Sequence, residues 1–434
     1  MSERVPEGWR LRRLSELTEL ITKGATPSTY GFEYTASLLK NGAKFIRGNN
    51  ATVNGKFDSH DVKFICGAAH EKLKRSQVKL GDVIVSIVGS VGTSLYVHKG
   101  IAPANINQNV ALIRPNKELE SVFLSHVVVS SIIQDAIGME ATTQAQPSLS
   151  LKQVGDFAIP LPPLPEQQKI AKILTSVDEV IEKTQAQIDK LKDLKTGMMQ
   201  ELLTQGVGVD GKPHNEFKDS PVGRIPKGWE CLPLEKLLLQ KKNSMRSGPF
   251  GSALLKDELI PAGYPYLGID NVHVEYFDKN YKRFVSSEKF EQLNKYAVYE
   301  DDVMITIMGT VGRSCVVPKG IGKALSSKHV WTMTFDRNIY LPSLICWQLN
   351  FSDWVKKQFR NESQGGVMDS ISSKTLKDLW LPVPPINEQK YIKKIYDALM
   401  NQIQVKEQVL ESKLNLKKAL MQDLLTGKVR VQVD

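Results

Sequence analysis

Cysteine is scarce in this 434-residue chain. Cys66, Cys231, Cys315 and Cys346 are scattered, with no C-x-x-C pair and no histidine at ligand spacing, which excludes a disulfide framework and a legible zinc site. Long apolar runs are missing too. Nothing approaches the ~18 consecutive apolar residues of a membrane span, and the opening MSERVPEGWRLRRL lacks the apolar stretch of a signal peptide. The expectation is a cytoplasmic protein that does not engage membranes. Catalytic signatures are equally thin: the seven histidines stand apart, and neither G-x-S-x-G nor H-E-x-x-H occurs. Gly206, Gly211 and Lys212 have the spacing of a phosphate loop. However, Pro213 stands where a Ser or Thr would meet magnesium, and no buried strand precedes the glycines. The Asn-Pro-Pro-aromatic tetrapeptide of amino-methyltransferases is missing, as is their cofactor glycine loop. No catalysis by the chain alone is expected.

What the sequence does contain is written twice. IPLPPLPEQQ (159–168) returns as LPVPPINEQ (381–389), each copy just before a Lys-rich helical run. Paired prolines neither continue a helix nor donate to a sheet, so each phrase separates two kinds of structure. Pro6-Glu7-Gly8-Trp9 meets Pro226-Lys227-Gly228-Trp229 at an offset of 220, and GDVIVSIVGSVGTSLYVHKGI (81–101) meets DDVMITIMGTVGRSCVVPKGI (301–321) at the same offset. From the proline phrase onward the offset is 222, and MMQELLT (198–204) meets LMQDLLT (420–426). The chain is a tandem duplication. Its Gly-, Asp- and Pro-rich stretch 206–224 has no partner in the first half and reads as a linker.

Each copy divides into an α/β part and a long helix. VIVSIV (83–88) and VMITIM (303–308) are β-rich runs, each followed by a G-x-x-G turn and a second strand, so a compact unit with a curled, mixed sheet is expected. Segments 119–137 and 339–359 read as helical. From Glu166, residues Ile170, Leu174, Val177, Ile181, Thr184, Ile188, Leu191, Met198 and Leu202 alternate at spacings of four and three, broken only by Lys195. This is a heptad seam on a rod of roughly 60 Å. Its second copy (Ile392, Tyr396, Leu399, Ile403, Leu410, Leu420, Leu424) is interrupted by Lys406, Lys413 and Lys417. The predicted fold is α+β: two α/β domains with mixed β-sheets, at 1–160 and 225–382. They are separated by two long helices, 161–205 and 383–428, that form an antiparallel intramolecular coiled coil with pseudo-two-fold symmetry. The net charge of +10 lies mainly in the two large segments and fits nucleic acid as a partner. A coiled-coil scaffold whose ends bind proteins is the alternative.

The combination of P-x-G-W, G/D-D-V with G-x-x-G, P-x-P-P-x-x-E-Q before a long helix ending M-x-x-L-L-T, and FKDSPVGRIPKGW (217–229) resembles the specificity subunit of type I restriction–modification systems across essentially the whole chain. The resemblance implies two target recognition domains, each reading one half of a split site in double-stranded DNA. It also implies helices that space them and dock two methyltransferase subunits, with restriction/translocase subunits joining. No cofactor is expected on this chain; S-adenosylmethionine and ATP/Mg would belong to the partners. Base reading needs Arg, Lys, Asn or Gln on turns, and phosphate contact needs Lys or Arg. The expected DNA contacts in the first copy are Lys23, Lys44, Arg47, Asn49, Asn50, Lys56, Asn107, Gln108, Asn109, Gln144 and Gln146. In the second they are Lys241, Lys242, Arg246, Asp270, Asn271, Arg313, Ser326, Lys328, His329 and Gln364. Glu166, Gln167, Glu388 and Gln389 recur at the helix starts, as partner contacts or as caps suited to the helix dipole.

Overall fold

The duplication recurs in most of the strands of the computed structural model, which describes residues 5–37, 42–141, 147–208, 211–362 and 370–433. Gln144, Gln146 and Gln364 lie outside the described residues. The chain divides into unit 1, Met1–Ala186 with Glu407–Asp434, and unit 2, Gln187–Lys406. The cut falls inside the long helices, so each unit holds half of each.

In unit 1 the strands are β1 (Arg10–Arg13), β2 (Thr18–Lys23), β3 (Tyr34–Thr35), β4 (Ala43–Ile46), β5 (Lys63–Ile65), β6 (Val83–Ser86), β7 (Ser94–Tyr96), β8 (Ala104–Ile106), β9 (Val110–Pro115) and β10 (Ala158–Leu161). Helices α1 (Gly67–Lys72), α2 (Ser121–Val129), α3 (Ser131–Ala141) and α4 (Leu151–Asp156) accompany them, and α5 (Leu164–Thr204) begins here. One sheet has the order β2-β9-β6-β7 and is antiparallel. The other, β3-β5-β4-β8, is mixed because β4 runs parallel to β8. A third pairing, β1 with β10, ties the P-x-G-W end to the proline phrase, matching Arg10 with Leu161.

VIVS of β6 is apolar without alternation because both of its faces are buried. Val83 and Val85 face a core with Phe123, Val127, Ile170 and Leu174, whereas Ile84 faces a second core with Ile46, Leu95 and Ile106. The expected helix over 119–137 is two helices, α2 and α3, because Ser130 takes an extended conformation between them.

Unit 2 repeats the plan with β11 (Phe217–Ser220), β12 (Gly223–Pro226), β13 (Glu230–Pro233), β14 (Met245–Ser247), β15 (Tyr264–Leu267), β16 (Phe284–Val285), β17 (Ala297–Val298), β18 (Val303–Thr306), β19 (Ser314–Val316), β20 (Ala324–Ser326), β21 (Val330–Met333) and β22 (Trp380–Val383). Its helices are α6 (Leu234–Leu237), α7 (Ser287–Gln292), α8 (Pro342–Phe351), α9 (Asp353–Glu362), α10 (Ser373–Lys377) and the start of α11 (Ile386–Leu425). The sheets are β14-β21-β18-β19 and β16-β15-β20-β17, the latter mixed through the parallel β15–β20 pair, and β13 pairs with β22. The 206–224 stretch, expected as a linker, holds β11 and the start of β12 and places Val207 and His214 on Glu388.

The segments of α5 and α11 run antiparallel within each unit. In unit 1 Lys417 Nζ pairs with Asp178 at 2.7 Å, and in unit 2 Lys406 Nζ donates to Gln187 Oε1 at 2.8 Å. Lys406 and Lys417, which interrupt the heptad pattern, are therefore polar links rather than faults. Lys195 likewise pairs with Glu275 at 2.5 Å. Among the described residues no single helix is long and apolar enough to cross a membrane.

Candidate nucleic-acid interface

Parallel neighbours end on the same side, so β4 and β8 deliver their following loops to one edge. After β4 the chain makes a tight turn closed by Asn50, whose Oδ1 accepts from Arg47 N (3.0 Å) and whose Nδ2 donates to Asp58 O (3.0 Å). The loop after β8 joins it through Asn107 N donating to Ile46 O (2.9 Å). The turn after β6 closes the group, with Ile87 N donating to Asn109 O (2.9 Å). Arg47, Asn49, Gln108 and Asn109 are thereby brought together. Unit 2 builds the same cluster. Asn271 Oδ1 accepts from Gly268 N (3.0 Å), Ser327 N donates to Leu267 O (2.8 Å), and Ile307 N donates to His329 O (3.1 Å). Here Asp270, Arg313, Lys328 and His329 come together; Lys328 and Arg313 are exposed.

Each cluster holds one guanidinium against one carboxylate. Arg47 Nη2 donates to the carbonyl (2.6 Å) and the carboxylate (2.7 Å) of Asp61, and Lys63 Nζ lies 2.7 Å from the same carboxylate. Lys63 and Arg47 together lower the Asp61 pKa to about 2. In unit 2 the guanidinium is that of Arg283, paired with Asp270. Burial lowers the His329 pKa, and the charges of Lys328 and Arg283 act in the same direction. The sequence reading missed Arg283, Lys63 and Asp61. A signal was available: Lys63 and Arg283 stand at the duplication offset of 220, each just before a phenylalanine.

Several expected contacts have other tasks. Asn50, Asn107, Asn271 and Ser326 are buried, and their side chains hold the turns and strands. Such a side chain presents no surface to a base. Arg246 is also buried: it pairs with Asp302 and donates to Thr334 Oγ1 at 2.9 Å, so it serves the core and not a phosphate. Lys44 Nζ donates to the carbonyls of Gly100 (3.1 Å) and Ile101 (3.3 Å), and Lys56 pairs with Glu182 of α5. Lys23 is exposed at the end of β2, next to Gly24, whose N–H donates to Asn107 O (3.1 Å), so it borders the first cluster. Lys241 and Lys242 are exposed but precede β14, at the end of that strand opposite the Ser327 loop.

The repeated Glu-Gln pairs are internal locks, not a free docking surface. Trp9 Nε1 donates to Glu166 Oε2 at 3.1 Å, and Trp229 Nε1 donates to Glu388 Oε2 at 2.9 Å. This joins P-x-G-W to P-x-P-P-x-x-E-Q in each unit. Gln167 bonds Glu120 N (2.8 Å) and Glu118 O (2.9 Å), and Gln389 bonds Leu341 N (2.8 Å) and Ile339 O (2.8 Å), fixing the entries to α2 and α8. A third group closes each lock: Arg430 on Glu166, and His214, at 2.9 Å, on Glu388. Arg430 and the Trp9 bond hold the Glu166 carboxyl below its ordinary pKa against the opposing effect of burial. Gly427 and Gly206, both at positive φ, sit against Pro6 and Trp9 and against Trp229 and Glu388, where any Cβ would collide.

Two copies of one α/β unit, each gathering polar loops at the edge of a mixed sheet, define a tandem recognition protein. Known proteins place it further. A family model described as the type I restriction modification DNA specificity domain matches residues 6–193 and 251–414. The type I restriction enzyme MjaVIII specificity subunit of Methanocaldococcus jannaschii is 27% identical over 439 residues, covering 99% of this chain and 95% of that protein. The EcoKI specificity subunit of Escherichia coli K12 is 24% identical over 454 residues, covering 99% and 91%. Among solved structures, the type I restriction–modification S subunit from M. genitalium aligns with a TM-score of 0.54 at 15% identity, covering 98% of this chain and 97% of that one. A chain solved in work on complex assembly and conformational transition of the type I R-M system gives 0.62 at 17% identity, covering 98% and 100%. The chain belongs to the type I restriction modification DNA specificity domain family. Its function is recognition of DNA sequence, not that of a protein-binding scaffold.

Proposed function

We propose that this chain is the non-catalytic recognition subunit of a type I restriction–modification complex, with each unit reading one half of a bipartite, asymmetric site in duplex DNA. The observation that carries the reading is the paired loop cluster: the two units keep the same turns and differ in the side chains those turns present. Gln108 and Asn109 stand where unit 2 has Lys328 and His329. Equal scaffolds with unequal readers suit two different half-sites. The long helices, shared between the units, set the spacing of the readers and dock two methyltransferase subunits, and restriction/translocase subunits complete the assembly. S-adenosylmethionine and ATP/Mg reside on those partners. Incubating the purified chain with labelled S-adenosylmethionine and duplex DNA tests the division of labour. Incorporation is expected only once methyltransferase subunits are added, and incorporation by the chain alone contradicts it.

A further inference from the structure

The two loop clusters share a guanidinium but not the residue that supplies it. In unit 1 it comes from position 47, at the end of β4, with Lys63 on the neighbouring β5. In unit 2 the position matching Arg47 is Gly268, whose N–H donates to Asn271 as that of Arg47 donates to Asn50, and the position matching Lys63 is Arg283. A Cβ at Gly268 would run into the Arg283 guanidinium and the Asp270 carboxylate, so the glycine makes room for a side chain arriving from the other strand. Both arginines lean on a single acidic side chain, Asp61 or Asp270. In both, the same atom, Nε, is buried without a hydrogen-bond partner. A buried unpaired donor at one place in an ordinary protein is rare; the same donor unpaired at the matching place in both copies calls for a common cause.

We propose that Arg47 and Arg283 are equivalent specificity-determining residues, each reading a guanine in its unit's half-site. Asp61 and Asp270 hold the guanidinium in place until the base arrives. A guanidinium has five donors in a rigid fork, and guanine offers two adjacent acceptors, O6 and N7, in the major groove. Phosphate would accept the same charge, but it needs no fixed fork and gives no sequence preference. The neighbouring polar groups, Gln108 and Asn109 in unit 1 and Lys328 and His329 in unit 2, border the same spot. The inference rests on the proposed half-site reading and adds the base and the residue to it.

The test maps methylated sites in cells carrying the chain with its methyltransferase partner. Arg47→Lys keeps the charge and removes the fork. Its expected effect is a loss of about 10- to 100-fold in discrimination at one guanine of one half-site, with the other half-site unchanged. Arg283→Lys should do the same at one guanine of the other half. Arg47→Gly should lose the first guanine, and Arg47→Gly combined with Lys63→Arg, which copies unit 2, should restore it. The untouched half-site in each map reports that the variant has folded and assembled. If Arg47→Gly abolishes both halves, Arg47→Lys decides, since it perturbs folding least. Half-sites without guanine, an unchanged motif in both lysine variants, or equal weakening of all sequences would overturn the inference. A wild-type map with no bipartite motif would instead overturn the half-site reading beneath it.

Discussion

At the D-V motif and at the glutamate lock, units 1 and 2 keep the carboxylate and move the cation. Asp82, of the G-D-V motif, is paired with Arg114 from β9 at 2.7 Å; its counterpart Asp302 is paired with Arg246 from β14. Thr334 fills the place of Arg114 and donates to Asp302 at 2.5 Å. In the loop cluster both partners change place, Arg47 with Asp61 in one unit and Arg283 with Asp270 in the other, and the lock on the glutamate is closed by Arg430 in one unit and His214 in the other. Even the turn that reaches the long helices reverses its sign. Lys56 meets Glu182 in unit 1, whereas Glu275 meets Lys195 and Tyr396 in unit 2. Selection on a duplicated unit holds the geometry of an interaction more tightly than the residue that makes it, because a buried charge needs a partner but not a particular strand.

The largest effect is expected from breaking the feature both units share most closely. Glu388→Ala leaves Trp229 Nε1, Val207 N–H and His214 without their common acceptor and should cost about 4 kcal/mol. Chemical unfolding should show this as the earlier loss of the unit 2 transition, and Glu166→Ala should do the same to unit 1. Next comes the relocated arginine. Arg246→Thr strands the buried Asp302 and should cost about 3 kcal/mol. Adding Thr334→Arg, which copies unit 1, should recover more than half of it; no recovery would mean that the two pairings are not interchangeable.

A smaller difference is a matter of pH. His126 lies buried in unit 1 beside Thr175, Asp178 and Lys417, and burial lowers its pKa to about 4. Unit 2 has Trp347 at the matching position, packed against Tyr396 with the two rings tilted. The unfolded chain binds this proton near pH 6.5 and the folded chain only near 4, so stability is full above about 6.5 and falls as pH drops toward 4. Unit 1 should lose about 2 kcal/mol between pH 7 and pH 5, and His126→Gln should flatten that part of its stability curve while leaving unit 2 unaffected. The smallest effect is expected at the exposed Lys328. Replacing it with the residue of unit 1, Lys328→Gln, should reduce the salt dependence of DNA binding by about one phosphate equivalent.

The repeat, the mixed sheets and the long helices were legible because they are written in local patterns: β-rich runs, proline stops and heptad spacing. P-x-G-W and P-x-P-P-x-x-E-Q were legible as motifs, but their mutual bond was not. Trp9 and Glu166 are 157 residues apart, and only the folded β1–β10 pairing brings them together. The polar clusters were found in part. Arg47, Gln108, Lys328 and His329 sit on turns, as their neighbours in sequence suggested, yet Asn50, Asn271, Ser326 and Arg246 are polar residues of the interior. Composition cannot separate a side chain that closes a turn from one that the turn displays. Arg283 escaped notice because its role belongs to position 47 in the other copy.

The central claim, that one unit reads one half-site, is tested most directly by replacing residues 40–150 with the matching segment of a relative that recognises a different sequence, and mapping methylated sites in cells. The account predicts a motif in which one half changes while the other half and the gap between them stay as they were. A motif in which both halves change together would contradict it.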